Sequence, residues 1–418
     1  MKILWITNIL FPSICEELNL PKPVTGGWMY SSLKELKKTG NLEFAVATVY
    51  QGKEFVTKQI DNVWYYLLPL GRKSNLIYQP VLESYWRKVQ QDFLSDVVHI
   101  HGTEFAHGLA YLNACSARNV VVSIQGLISV IGRYYYAGIG KWDILKHITF
   151  RDIIRRDTIF HQKHSFMERG KIEKEILWKV DHVIGRTSWD KAHVWAINPK
   201  AQYHFCNETL RDGFYKYQWR YEECEKHSIF LSQAGYPIKG LHQVLKAMPL
   251  ILKHYPDAKV FVAGDDIIKR PWYRLTGYGA YIKHLIKQYK LENHVFFTGL
   301  LNEQEICKQY LKSNVFVCPS AIENSPNSLG EAQLLGVPCI AAYAGGVPDM
   351  MKGCEDFVYR FEEVEMLADK VCKIFHRFTF RNADFTQEVL SRHDRVKNQE
   401  DLLNIYCNII AHDSCNDN

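Results

Sequence analysis

Two glutamates eight positions apart, Glu323 and Glu331, bracket a helix start within the stretch Pro319 to Pro348. An apolar strand, Val315 to Cys318, runs into a polar loop that holds Glu323. Ser325 and Pro326 read as an N-cap followed by proline at the first helical position. The predicted helix carries Glu331 and stops at Gly336, with Pro338 just beyond it. The first backbone N–H groups, those of Asn327, Ser328 and Leu329, then join the helix dipole in an anion site suited to a pyrophosphate. A carboxylate only accepts hydrogen bonds, so each glutamate suits a sugar hydroxyl. Diphosphate on the helix end and one carboxylate for each sugar ring is the chemistry of a nucleotide-sugar site. The alternative, an ordinary strand–helix unit with solvated glutamates, leaves Glu323 and the helix end without a use.

Such groups need a sheet edge to hold them, and the hydrophobic pattern supplies two sheets. Lys2 to Ile9 reads as a buried strand, followed by a loop of about fifteen residues, long enough to suggest a function. That loop ends in Thr25-Gly26-Gly27 before a helix from Trp28 to Lys38. Gly26 and Gly27 would let backbone N–H groups approach an anion, and a structural turn explains them as well. Strands follow at Phe44–Val49 and Val63–Leu68, a helix at Val81–Leu94 and a strand at Val97–His101. His99 and His101 alternate with Val98 and Ile100 and so face one side. His101 sits at the carboxyl end, where open α/β sheets bind ligands, with His107 a further candidate; a plain polar strand end is the alternative. The next strand, Val120–Gln125, ends in Gln125. Asp181–Ile184 leads to Arg186, again at a carboxyl end, and Tyr203–Cys206 closes the first domain. Asn207 to Trp219 reads as the crossing segment, with Arg211 either structural or cleft-lining.

The second domain opens at Ser228–Leu231. A helix from Gly240 to Tyr255 bends at Pro249. The strand Val260–Ala263 ends in a switch-type turn at Gly264. A helix at Tyr281–Tyr289, a strand at Val295–Thr298 and a helix at Glu303–Leu311 lead to the central stretch. After Phe357–Tyr359, helices run to about His412, and Asp413–Asn418 reads as a disordered tail. The expected fold is α/β: two doubly wound parallel-sheet domains facing a cleft, at 1–206 and 207–385, with a C-terminal helix and tail at 386–418.

The 418 residues are 47% apolar, enough for two cores, and the net charge of +6 gives little support to nucleic-acid binding. Eleven cysteines include no C-x-x-C pair, which argues for reduced thiols, a cytoplasmic setting and no structural zinc. Cys318 and Cys339 read as core residues. The N-terminal run is too short for a signal peptide, and no apolar run is long enough to span a membrane. Residues 141–180 hold ten Lys/Arg against six Asp/Glu. Together with Arg133 and Tyr134 to Tyr136 they form either a basic surface for anionic lipid, at the inner face of a membrane, or a solvated helix face.

The spacing Glu323, seven residues, Glu331, within ENSPNSLGEA, LLGVP and GGVPD, resembles the E-x7-E motif of retaining GT-B glycosyltransferases of the family 4 type, such as those of bacterial polysaccharide synthesis. The resemblance covers nearly the whole chain and is weakest at 133–178. It implies that Glu331 holds the ribose hydroxyls and Glu323 the donor sugar. It implies phosphate contacts at Asn327, Ser328, Leu329 and the Gly26–Gly27 loop, and a final helix crossing back onto the first domain. It places Lys239 on the diphosphate, where Lys239 stabilises the departing nucleoside diphosphate. Two departures stand out. The arginine usual five residues before that lysine is Ala234 here, so either Lys239 works with the helix dipole alone or Arg186 or another cation substitutes. The histidine usual at the end of the strand read at Val120–Gln125 is Gln125 here, which can bond a sugar hydroxyl but cannot act as a base.

The expected activity is retaining, metal-independent transfer from a UDP- or GDP-sugar to a saccharide or lipid-linked saccharide, in cell-surface polysaccharide synthesis. No cofactor or metal site is expected, and no D-x-D triplet occurs. Two alternatives stay open: a nucleotide-sugar epimerase or hydrolase, and a non-catalytic scaffold of the same fold, which Ala234 and Gln125 favour.

Overall fold

The computed structural model describes residues 1–21, 26–376 and 383–416. They form two compact units: Met1–Val130 with Phe166–Thr209 and Asp394–Asn418, and Ile131–Ser165 with Leu210–His393.

The sheet of the first unit comprises β1 (Lys2–Ile6), β2 (Glu43–Tyr50), β3 (Val56–Ile60), β4 (Val63–Pro69), β5 (Val97–His101), β6 (Val120–Ser123), β7 (His182–Gly185) and β8 (Gln202–Phe205). Its order is β3-β4-β2-β1-β5-β6-β7-β8. Every pairing is parallel except β3 with β4. Alternate side chains serve two cores, as the pleat requires. Leu4, Ile6, Ala45, Ile100 and Val122 face one. Ile3, Trp5, Phe44, Val46 and Val121 face the other, which Leu402, Ile405, Tyr406 and Ile409 of the last helix complete.

The second sheet comprises β9 (Glu225–Leu231), β10 (Lys259–Val262), β11 (Val295–Phe297), β12 (Ser313–Cys318), β13 (Cys339–Ala342) and β14 (Val358–Tyr359). All its pairings are parallel. The order β11-β10-β9-β12-β13-β14 is the doubly wound one, with its switch point between β9 and β12.

Several expectations need correction. β1 stops at Ile6, where Thr7 N–H goes to Ala47 O, and a helix at Pro12–Glu17 occupies part of the loop beyond. Thr25 of that loop lies outside the described residues. β3 has no counterpart in the sequence reading because VTKQI is mostly polar; it pairs through a hairpin whose turn residues Asp61 and Asn62 both have positive φ. β6 ends at Ser123, so Gln125 is in the loop after it. The last helix runs from Arg395 to Asn416, into the stretch read as a tail, and Asp417 and Asn418 lie outside the described residues.

The units also divide the chain differently from the boundaries at 206 and 386. The breaks fall after Thr209 and after His393, and Ile131–Ser165 belongs to the second unit. Buried and part-buried hydrogen bonds explain that assignment. Thr149 Oγ1 donates to Leu275 O at 2.7 Å, Asp152 accepts from Gly277 N at 2.7 Å, and His242 Nε2 meets Ala137 O at 2.7 Å. Among the described residues no helix is long and apolar enough to cross a membrane. Ten of the cysteines among the described residues are free, with Cys318 and Cys339 buried in β12 and β13.

Candidate functional site

The loops leaving β9 and β12 meet at the switch point, where Ala321 N–H donates to Ile238 O at 2.8 Å. Two glycines make the approach possible. Gly240 has φ +73°, and a Cβ there would stand 1.7 Å from Pro319 O. Gly345 has φ +58°, and its Cβ would stand 1.8 Å from Glu323 O, which also accepts from Gly346 N at 3.0 Å. Only glycine fits either position. The result is an ion pair between Lys239 Nζ and Glu323 Oε1 at 2.5 Å. Burial opposes the Lys239 charge, but the Glu323 carboxylate and then Tyr236 hold its pKa above the ordinary lysine range. A permanent ammonium and a hydrogen-bond acceptor thus share one spot at the carboxyl edge of the sheet. Gly264 follows β10 on the same edge with φ +105°, bridged to Gly299.

The helix after Glu323 spans Asn327–Leu335 and closes at Gly336 in the left-handed region, where Val337 N–H reaches Ala332 O at 2.9 Å. Its start corrects the sequence reading: Pro326, not Ser325, is the N-cap, and Asn327 is the first helical residue. Leu329 N–H already donates to Pro326 O at 2.9 Å, so the expected phosphate contact at Leu329 loses its donor to the helix. The second-position amide, Ser328, has no acceptor within the helix. Leu329 itself is fully buried.

Glu331 lies one turn further and is 5% exposed. Arg211 donates to its Oε1 through Nε at 2.8 Å and Nη2 at 2.7 Å. Burial pushes the Glu331 pKa up to about 7 against the pull of Arg211. Arg211 is therefore the partner of Glu331, a role its sequence context left open because the two lie far apart in the chain. The sequence reading also missed Gly240, Gly345 and Tyr236. The Lys-Gly pair and the AGG run were visible in it, but the strand order that gives them meaning was not. Ala234 is buried beside β9 and brings no cation.

The first unit holds the remaining candidates. Gly26 caps the helix Gly27–Leu36 with φ +76°, and a Cβ there would strike Ile9 Cδ1 at 2.2 Å. The Gly26–Gly27 turn thus has a steric reason of its own. Arg186 is buried and paired with Glu208 Oε2 at 2.5 Å, while Nη2 donates to Ile124 O at 3.0 Å. Its charge is engaged inside the unit, which counts against the substitution for Ala234. Gln125 Nε2 donates to the other oxygen, Glu208 Oε1, at 2.7 Å. His99 and His101 share a face as expected, stacked with centroids 3.8 Å apart. His101 is buried, packed edge-on against Trp5, and neither ring nitrogen has a hydrogen-bond partner. Burial, with His99 adding to it, holds its pKa well below the ordinary histidine range. It lines a cavity of about 40 Å³ with Trp28, Ser123, Arg186 and Glu208, room for one or two waters. His107 is likewise buried, against Asn75.

Comparisons with known proteins cover the chain to different extents. The chain is 27% identical over 138 residues to the spore coat protein SA of Bacillus subtilis (strain 168), covering 32% of this chain and 35% of that protein. It is 28% identical over 142 residues to the sulfoquinovosyl transferase SQD2 of Arabidopsis thaliana, covering 33% of this chain and 25% of that one. The chain therefore spans about a third of the length of the first and a quarter of the second. Among solved structures, sucrose-phosphate synthase from Thermosynechococcus elongatus superposes with a TM-score of 0.71 at 14% identity, covering 99% of this chain and 100% of that one. That likeness shows the fold, two parallel-sheet α/β domains of the GT-B class. Residues 217–383, which contain Lys239, Glu323 and Glu331, match the family model described as glycosyl transferases group 1.

Proposed function

We propose that this protein is a retaining, metal-independent glycosyltransferase of the family 4 type. It moves a sugar from a UDP- or GDP-sugar to a saccharide or lipid-linked saccharide acceptor in cell-surface polysaccharide synthesis. The observation that carries the reading is the Lys239–Glu323 pair at the switch point, one loop away from the helix start at Asn327. Lys239 and the helix end, with the amides of Asn327 and Ser328, stabilise the departing diphosphate in place of a metal. Glu323 accepts from hydroxyls of the donor sugar, and Glu331, oriented by Arg211, accepts from the ribose. Gly264 keeps backbone close to the phosphates. The first unit serves the acceptor. The bond from the anomeric carbon to the phosphate oxygen breaks, and the acceptor oxygen bonds to that carbon on the same face. The phosphate oxygen takes the acceptor proton, so Gln125 need not be a base. The test is calorimetry with UDP, GDP, ADP and dTDP in EDTA, followed by transfer assays on the nucleotide that binds. One nucleotide should bind without metal, and the product should keep the donor's anomeric configuration by proton NMR. An inverted product, or no nucleotide bound, overturns the reading.

A non-catalytic scaffold is favoured by two specific observations, the buried Ala234 and the Gln125 side chain held on Glu208. It expects pathway output to survive Glu323→Ala and to fail only when the whole protein is removed.

A further inference from the structure

The segment Lys141–Arg156 of the second unit carries an apolar surface that its own fold leaves uncovered. In the helix Phe150–Arg155, Phe150, Ile153 and Ile154 are 56%, 63% and 67% exposed. Their spacing of three and four puts them on one helix face. Trp272, 69% exposed, stands against Phe150 with ring centroids 5.5 Å apart and extends that face onto a second segment. The preceding helix, Lys141–Lys146, exposes Trp142 and Leu145 at the same spacing of three. A folded domain rarely leaves two aliphatic and two aromatic side chains bare side by side unless something covers them.

The surface is held in place. Thr149 and Asp152 form a reciprocal capping box, and Asp152 also accepts from Gly277 N. The charges around it are sorted. Asp152 is buried, and Asp152 and Asp157 both pair with Arg151, at 3.1 and 2.8 Å. Lys141, Lys146, Arg155 and Arg156 are exposed around the apolar side chains, with Asp143 the one further acid in the segment. Bare isoleucine, phenylalanine and tryptophan with a rim of lysine and arginine is the composition that settles into an anionic lipid interface. A second copy of the chain is a poorer fit, since a two-fold contact over this face would set the basic rim against itself.

We propose that this surface docks the protein on an anionic lipid bilayer, with Phe150, Ile153, Ile154 and Trp272 entering the interface and Lys141, Lys146, Arg155 and Arg156 meeting the headgroups. The site reading above is not needed for this, and the test reads no sugar transfer, so either can fail alone. The full chain is sedimented with vesicles of phosphatidylcholine, with and without phosphatidylglycerol, alongside Ile153→Ser/Ile154→Ser and Arg155→Glu/Arg156→Glu. The parent should bind the phosphatidylglycerol vesicles, and added salt should release it. Losing two cations should weaken binding about twenty-five-fold or more, at about five-fold per charge. The serine pair should also weaken it, and both variants should keep the parent's melting temperature because the altered positions are exposed. No sedimentation with anionic vesicles overturns the proposal, as does binding unchanged in both variants. So does concentration-dependent dimerisation that the serine pair abolishes, which would make the face a contact between copies.

Discussion

Lys239 and Glu323 each decide what the other can do. Replacing Lys239 by alanine removes the cation paired with Glu323 at the switch point and leaves that half-buried carboxylate without its ion-pair partner. Turnover by the proposed reaction should fall about 10²–10³-fold, the usual loss for a donor that meets developing charge, with donor binding reduced less. A matched loss in binding and turnover would make Lys239 a ground-state contact only. Glu104 offers a separate pH handle in the first unit. Its carboxyl, buried beside Gly126 N at 3.1 Å, is pushed up to about 7 by burial, partly against that hydrogen bond, with Glu173 adding to the rise. The fold therefore binds a proton there that the unfolded chain releases near 4.5. The stability this lends is complete below the unfolded pKa and is lost as pH rises through the folded one. Thermal melts should show the parent falling behind Glu104→Gln between pH 4.5 and 7, with the gap constant above that. Parallel curves across that window would place Glu104 in water.

At the scale of elements, glycines set the site. Gly345→Ala forces a Cβ onto Glu323 O and demands a left-handed backbone from a residue that resists it. Strain of this kind costs about 1–3 kcal/mol in urea unfolding. It should also shift the Glu323 loop enough to lower nucleotide-sugar affinity; intact affinity would show that the loop's position is not critical. This is also where legibility in the sequence divides. The strand read at Val315–Cys318, the stop at Gly336 and the shared face of His99 and His101 follow from short-range pattern, and the structure has them, with the strand beginning two residues earlier at Ser313. The N-cap shifted by one residue because Ser325-Pro326 satisfies the same rule in two registers. Arg211 with Glu331, and Arg186 with Glu208, could not be read at all. Their partners are fixed by strand order and crossing segments, which leave no mark near either residue. The polar β3 was hidden for a different reason, since an edge strand needs no apolar face.

For the molecule as a whole, the last helix is a core element of the first unit. Tyr406 is fully buried, accepts from Trp5 Nε1 at 3.1 Å and meets His99 Nδ1 at 2.6 Å. Tyr406→Ala should cost about 3–5 kcal/mol of unfolding free energy, and Tyr406→Phe about 1–3, the hydrogen bonds alone. Equal losses from both would mean that the ring itself contributes little. The same contact has a consequence in time. Trp5 and Tyr406 stand 401 positions apart. At a synthesis rate of about 5–20 residues per second, the ribosome makes Tyr406 roughly 20–80 s after Trp5. Until then the apolar side of the first sheet that this helix covers stays open to other chains, so the newborn protein has a long interval in which a chaperone, or an aggregate, can reach it first.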